Sequence, residues 1–259
     1  MRTLGIVPAR AGSVRLPGKN LAVLGGKTLV ERALDAATGA SRLIAVALSS
    51  DDPRALALGE RRAGVIVIER PPELAGERSP AIDYVRHALA AIAARGGEAF
   101  DAVAIVQPSS PLTLAGDVDG TVELLAATGA DSAVTAVRLD HAIHPLKLKR
   151  LDGDRLVPLF ADEGGRMATH ELEPVYIRNG AVYATRRRVI DRGQILGDDC
   201  RAYVMPRERS IDINDRLDLE FAAFLLDRVE RADSAPLLSP SSGFSPPPTS
   251  PPGRAPSKG

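Results

Sequence analysis

Residues 4–20, Leu-Gly-Ile-Val-Pro-Ala-Arg-Ala-Gly-Ser-Val-Arg-Leu-Pro-Gly-Lys-Asn, constrain the fold of this chain more than any other stretch. The apolar start, residues 4–7, reads as a buried strand. Pro8 ends it, and Gly12, Pro17 and Gly18 mark the loop that follows. Thr28-Leu29-Val30-Glu31 then fits a capping box, and Leu29, Val30, Ala33, Leu34 and Ala37 recur at helical spacing. Strand, glycine-containing loop and helix in that order make the first unit of an α/β sheet. Open sheets of this kind bind ligands at the carboxyl ends of their strands. The loop carries Arg10, Arg15 and Lys19. Its glycines let backbone N–H groups approach an anion, and the cations supply charge and bidentate donors for phosphate. The loop lacks the Gly-Lys-Ser/Thr ending of a Walker sequence, and there is no Gly-x-Gly-x-x-Gly.

The same alternation continues downstream. Residues 43–48, 65–68, 102–106 and 132–137 are short apolar runs that read as strands. Asp52-Pro53 starts a helix, with Asp as cap and Pro in the first turn. Ile82, Val85, Leu89 and Ile92 define a helix covering the sheet, and Val118, Val122 and Leu125 define the next. The expected fold is α/β, a mostly parallel, Rossmann-like sheet with helices on both faces. From 144 to about 179 the chain turns polar and reads as an insertion, with a hairpin signal at Asp152-Gly153. Residues 182–185 and 202–205 are late strands. Leu217, Phe221, Phe224 and Leu225 mark a final helix. Ser, Pro and Gly dominate from 232 to 259, a composition unable to offset its ordering entropy, so 1–231 is the expected domain and the rest a disordered tail.

Charge and cysteine content narrow the function. Lys plus Arg and Asp plus Glu each total 33, a balance that argues against a nucleic-acid coat or a membrane-surface role. The single cysteine, Cys200, excludes an internal disulfide or a Cys-rich zinc site and reads as a small apolar filler. No run has the length of a signal peptide or a membrane span, so a cytoplasmic protein is expected.

Three further stretches lie where ligand-facing loops belong. Arg70-Pro71-Pro72-Glu73-Leu74-Ala75 follows the third strand; composition alone favours a Pro-rich connector. Gln107 follows the fourth, an uncharged donor and acceptor suited to a sugar carbonyl or hydroxyl, or equally to a capping turn. In Ser210-Ile211-Asp212-Ile213-Asn214-Asp215, Asp212 and Asn214 point to one side of an extended segment. Oxygens so placed could hold Mg²⁺ against a triphosphate, since Mg²⁺ takes oxygen ligands and keeps several waters. Asp215 reads as a helix cap. Asn179-Gly180 is in itself an ordinary turn signal. His141 and His144 lack the further ligands of a metal site.

Taken together, these residues resemble the cytidylyltransferases that activate sugar acids, the acylneuraminate cytidylyltransferase (CMP-sialic acid synthetase) family. The opening loop matches at Pro8, Ala9, Arg10, Gly12, Ser13, Arg15, Pro17, Lys19 and Asn20. Arg70 with its Pro-x-Glu-Leu-Ala, Gln107-Pro108-Ser109-Ser110-Pro111-Leu112, Tyr176 to Tyr183 around Asn179-Gly180-Ala181, and Asp212-Ile213-Asn214 follow in the family's order. The resemblance implies a nucleotidyltransferase sheet and transfer of CMP from CTP to the anomeric hydroxyl of a sialic-acid-like, nine-carbon sugar acid. It implies that Arg10, Arg15, Lys19 and Asp212 are catalytic and that Ala9, Arg10, Gly12, Ser13, Asn20 and Arg70 bind the nucleotide, Arg70 at the cytosine. Gln107 and Asn179 would bind the acceptor, and Asp212 and Asn214 would hold Mg²⁺. It also implies a homodimer formed through the 144–179 insertion. The chain departs from the family pattern at Val14 (a frequent Lys), Ser109 (a Thr), Thr113 (a frequent Arg), 169–173 (Thr-His-Glu-Leu-Glu for Arg-Gln-Asp-Leu-Pro) and Asn214 (an Asp). These departures keep two rivals open. One is a cytidylyltransferase for another acid, such as Kdo or a phosphonate. The other is a catalytically weakened nucleotide-binding homologue.

Overall fold

The computed structural model describes residues 1–13, 15–97, 99–160 and 172–234. The departures at Val14 and at 169–171, and the tail from 235 onward, lie outside the described residues.

The main sheet has seven strands: β1 (Thr3–Ala9), β4 (Leu43–Ser50), β5 (Val65–Glu69), β6 (Ala102–Val106), β7 (Ser132–Arg138), β10 (Tyr176–Arg186) and β11 (Cys200–Val204). They lie in the order β11-β7-β10-β6-β1-β4-β5. Only β10 is antiparallel to its neighbours. β1 is buried along its whole length, as expected of a central strand covered on both faces.

Side chains alternate across β1. Val7 and Ala9 face a layer containing Val30, Leu34 and Ala37 of α1 (Leu29–Gly39) and Val118 of α4 (Ala115–Thr128). Leu4 and Ile6 face Tyr84, Val85, Leu89 and Ile92 of α3 (Ala81–Ala94) and Ile190 of α5 (Arg187–Asp191). Each fully buried Leu, Ile or Val contributes roughly 1.5–3 kcal/mol. The period of 2 in the strand and 3.6 in the helices thus builds both layers. The last helix, α6 (Arg216–Ser234), places Ala222 with Leu24, Leu29, Leu112 and Ile213 in a separate cluster.

Local chemistry starts the helices where the sequence indicates. The Thr28–Glu31 capping box forms, with the Glu31 N–H donating to Thr28 Oγ1 at 3.2 Å and the Thr28 N–H to Glu31 Oε2 at 2.8 Å. Asp52 caps α2 (Pro53–Glu60), accepting from the Arg54 N–H at 3.0 Å. Asp215 and Asp218 cap α6 reciprocally.

Three expectations need adjustment. β10 is eleven residues long and takes in Tyr176–Asn179, which the sequence had placed in the insertion. The Asn-Gly signal is a bulge inside this strand: the register against β7 shifts between Arg178 and Tyr183, and Gly180 sits at φ 81°. Cys200 is exposed at the start of the edge strand β11 and is not a buried filler. The short helix α5 carries no long periodic pattern and was not expected.

The hairpin does form, from β8 (Lys149–Asp152) and β9 (Arg155–Pro158), with Asp152 opposite Arg155 and Gly153 at φ 63°. A second small hairpin joins β2 (Val23–Leu24) to β3 (Lys27–Thr28) just before α1.

Candidate active site

The opening loop leaves the carboxyl end of β1 between β4 and β6 and is tied to the end of β4 and to the segment before α6. Toward β4, Ser50 Oγ donates to the Ala9 carbonyl, and the Ala11 N–H donates to Asp51 Oδ1 at 2.9 Å. Within the loop, Asn20 Nδ2 donates to the Arg10 carbonyl at 2.9 Å. Toward the C-terminus, Lys19 Nζ donates to the Ile213 carbonyl at 2.8 Å, and Arg15 Nη2 to Asn214 Oδ1 at 2.7 Å. The cationic loop and the Asp212–Asn214 segment, nearly two hundred residues apart in sequence, therefore meet.

A cavity of about 220 Å³ opens between this loop, the segment after β5 and the end of β6. Pro8, Arg10, Ser13, Lys19, Asn20, Arg70, Tyr84, Gln107 and Ser109 line it, among others. Ala9 is fully buried at the end of β1 and offers only backbone; Gly12 is exposed, its Cα side facing the Arg10 guanidinium. Gln107 is half-buried, with its N–H on the Ala181 carbonyl at 3.0 Å. Arg70 is 4% exposed and follows directly on β5. Its Nε donates to Ser49 Oγ at 3.1 Å and its Nη2 to the Ser49 carbonyl at 2.9 Å.

Asp212 sits on the β10 bulge. A Cβ built on Gly180 would lie 3.8 Å from Asp212 Cγ and 3.9 Å from Ser110 Oγ. The Ser110 hydroxyl is buried without a partner among the described residues. Asn214 Nδ2 donates to Asp212 Oδ2 at 3.1 Å, and the Asn214 N–H to Asp218 Oδ2 at 2.8 Å, so the α6 cap also fixes this segment. The Ile213 N–H donates to the Ser109 carbonyl at 2.8 Å, joining it to the loop after β6.

Asn179 is 6% exposed and its side chain is engaged within the protein. Nδ2 donates to Ser210 Oγ at 2.9 Å and contacts Met205 Sδ at 3.2 Å, and Oδ1 accepts from the Ala181 N–H at 3.3 Å. Asn214 Oδ1 likewise takes the Arg15 bond. Neither amide carbonyl faces the cavity as a free ligand.

Electrostatics follow this geometry. Burial pulls the Lys19 ammonium below its ordinary value; Asp212 opposes the shift, while Arg15 and Arg10 add to it. Burial also raises the Tyr183 phenol, with Asp212 adding to the rise and Arg178 opposing it. No cluster of three or more His, Cys, Asp or Glu among the described residues could hold a metal by itself. One carboxylate, Asp212, with Oδ1 unpaired among the described residues, fits a hard cation that takes most of its oxygens from a ligand and water.

Sequence reasoning missed Ser49, Ser50, Asp51 and Asp218, which hold the cationic loop, Arg70 and the Asp212 segment in place. A signal existed for the first three: polar residues ending an apolar strand beside β1.

A basic loop and a carboxylate converging at the carboxyl edge of a mostly parallel sheet define an α/β protein built to hold an anionic ligand. Residues 4–192 match the family model described as Cytidylyltransferase, and the chain belongs to the cytidylyltransferase family. It is 28% identical over 237 residues to the CMP-N,N'-diacetyllegionaminic acid synthase of Legionella pneumophila, covering 90% of this chain and 99% of the relative. It is 26% identical over 234 residues to an N-acylneuraminate cytidylyltransferase of Escherichia coli, covering 89% of this chain and 54% of the relative. The chain thus spans about half the length of the N-acylneuraminate cytidylyltransferases it matches. A solved structure of a CMP:2-keto-3-deoxy-manno-octonic acid synthetase complexed with CTP shares the fold, with a TM-score of 0.65 at 18% identity over 88% of this chain and 100% of that one.

Proposed function

We propose that this chain transfers CMP from CTP to the anomeric hydroxyl of a sialic-acid-like nonulosonic acid and releases pyrophosphate. The observation that carries the reading is the meeting of the cationic loop with the Asp212 segment through the Lys19–Ile213 and Arg15–Asn214 bonds. The names of the relatives, which cover acylneuraminic, legionaminic and pseudaminic acids, support the acceptor class.

In this reading the acceptor oxygen bonds to the α-phosphorus, the α–β bridging oxygen leaves with pyrophosphate, and the hydroxyl proton passes to solvent or a nearby base. The chain contributes positioning and charge, which do most to speed transfers of this kind. Arg10 and Lys19 neutralise phosphate charge from the cavity wall, and Arg15 does so from the loop's far side. The loop backbone from Ala9 through Gly12 to Ser13 and the Asn20 side chain shape the ribose–phosphate seat. Arg70 faces the base and Gln107 the acceptor. Asn179 acts on the acceptor through the bulge it holds, which presents Gly180 beside Asp212. Asp212 would hold a divalent cation, Mg²⁺ by our expectation, with Asn214 fixing its carboxylate; such a cation would lessen the charge on the phosphates when bound.

The β8–β9 hairpin supports a homodimer. Leu151 and Leu156 are 69% and 71% exposed, and Leu159 and Phe160, next along the chain, add exposed apolar surface. No helix among the described residues is long and apolar enough to cross a membrane.

The test is incubation with CTP, Mg²⁺ and a panel of sugar acids, including legionaminic, pseudaminic and N-acetylneuraminic acids and Kdo, with pyrophosphate release as the readout. Release with one nine-carbon acid well above the others supports the reading. CTP binding without release on any acceptor would replace it with the weakened homologue, the outcome to which the Asn214 substitution points.

A further inference from the structure

Tyr84 belongs to none of the motifs above, yet it closes the back of Arg70. It sits in the first turn of α3 and is 7% exposed. The Arg70 guanidinium lies over its ring, with Cζ 4.4 Å from the centroid. Arg70 forms no ion pair among the described residues. Its two hydrogen bonds, both to Ser49, use two of its five N–H groups. The other three N–H groups have no acceptor among the described residues. Asp51 acts on Arg70 only through space, without a hydrogen bond or ion pair, and a buried cation with open N–H groups is costly unless a ligand completes them.

We propose that Tyr84 is the positioning residue for Arg70 and thereby sets the choice of cytosine over uracil. The inference rests on the CTP reading of this cavity. A guanidinium can only donate. Cytosine presents two adjacent acceptors, O2 and N3, whereas uracil presents a donor at N3. Fixed donors therefore accept cytosine and leave uracil's N3–H facing another donor, a mismatch of the kind that separates close analogues strongly. The discrimination depends on the plane of the guanidinium being held. Ser49 holds one edge of it and the Tyr84 face holds the plane, leaving the remaining edge for the ligand.

The Tyr84 hydroxyl is buried without a partner among the described residues, so the ring, and not the oxygen, carries the effect. This separates two kinds of variant. Y84F keeps the ring; Y84L and Y84M fill the space without a π face.

The experiment titrates CTP and UTP into the full chain with Mg²⁺ by calorimetry, alongside the Arg70 Nε–H resonance in the ligand-free protein. Wild type and Y84F are expected to prefer CTP equally and to show the same ring-shifted resonance. Y84L and Y84M should weaken CTP about tenfold, change UTP by less than about twofold, and lose the ring shift. An unchanged CTP/UTP ratio in both leucine and methionine variants overturns the proposal, as does a collapsed ratio in Y84F. If wild type binds neither nucleotide, the cytidylyltransferase reading fails on its own account. An Arg70 resonance unmoved between wild type and Y84L then also removes the positioning role.

Discussion

The proposed nucleotide end and the proposed acceptor end of the site are built differently. The former draws on residues 8–13, 15–20, 49–51 and 70, from three neighbouring parallel strands and their loops. Side chains and backbone of these strands and loops bond to one another: Ser50 to Ala9, Ala11 to Asp51, Asn20 to Arg10, Arg70 to Ser49. The acceptor end draws on Gln107, Ser110, Gly180 and Asp212, carried by distant stretches of the chain. It contains the only antiparallel strand of the main sheet among the described residues, a bulge and a hydroxyl unpaired among the described residues. The contrast teaches that the first half is braced mainly by bonds within the protein, while the second keeps a buried hydroxyl without a partner among the described residues, which on our proposal the acceptor completes.

Five experiments probe that contrast. The largest effect is expected where the halves touch. Asp212→Asn should lower pyrophosphate release by about 10²–10³-fold with CTP affinity in the absence of metal little changed. A variant of near wild-type rate would remove Asp212 from the chemistry. Next, Leu151→Glu combined with Leu156→Glu places charges on the hairpin. Sedimentation should show monomers, with acceptor KM raised and CTP binding retained; an unchanged mass would show that this face does not associate.

Asn179→Ala removes the bonds that brace the bulge. A loss of about 1–3 kcal/mol in urea melts is expected, with a raised acceptor KM and an unaltered CTP Kd. If CTP binding suffers instead, the two ends are not separable as described. Thr28→Ala is a control at a residue that does not line the cavity: it should cost about 1 kcal/mol through the lost cap and leave both affinities alone.

The smallest effect concerns pH. Burial lowers the Lys19 pKa, so its charge, present in acid, is lost on raising pH sooner than for an ordinary lysine. Lys19→Arg should keep phosphate binding further into the alkaline range than wild type. A pH profile of CTP affinity checks this, and identical alkaline limbs would show that Lys19 does not face the phosphates.

Much of the nucleotide end was legible before any coordinates. Arg10, Lys19, Asn20 and Arg70 line one cavity, as the place of the basic loop after the first strand and, for Asn20 and Arg70, the family resemblance implied. Asp52 and Asp215 cap helices because capping needs only neighbours along the chain. The acceptor end was harder to read. Asn-Gly marks a tight turn and a bulge alike, so Tyr176 to Asn179 passed for insertion when they are strand. Tyr84 carries the same apolar signature as Val85 or Leu89 and passes for core until Arg70 is seen above it.

The amino-acid order by itself determined the kind and succession of elements, the helix starts and the cations of the first loop, because these depend on side-chain period and on groups a few residues apart. Only the tertiary structure decided that Lys19 reaches Ile213, that β10 runs against its neighbours and that Asn179 braces rather than faces the cavity. Those outcomes depend on strand order, which is chosen by burying both faces of the sheet at once, a condition no local stretch can express.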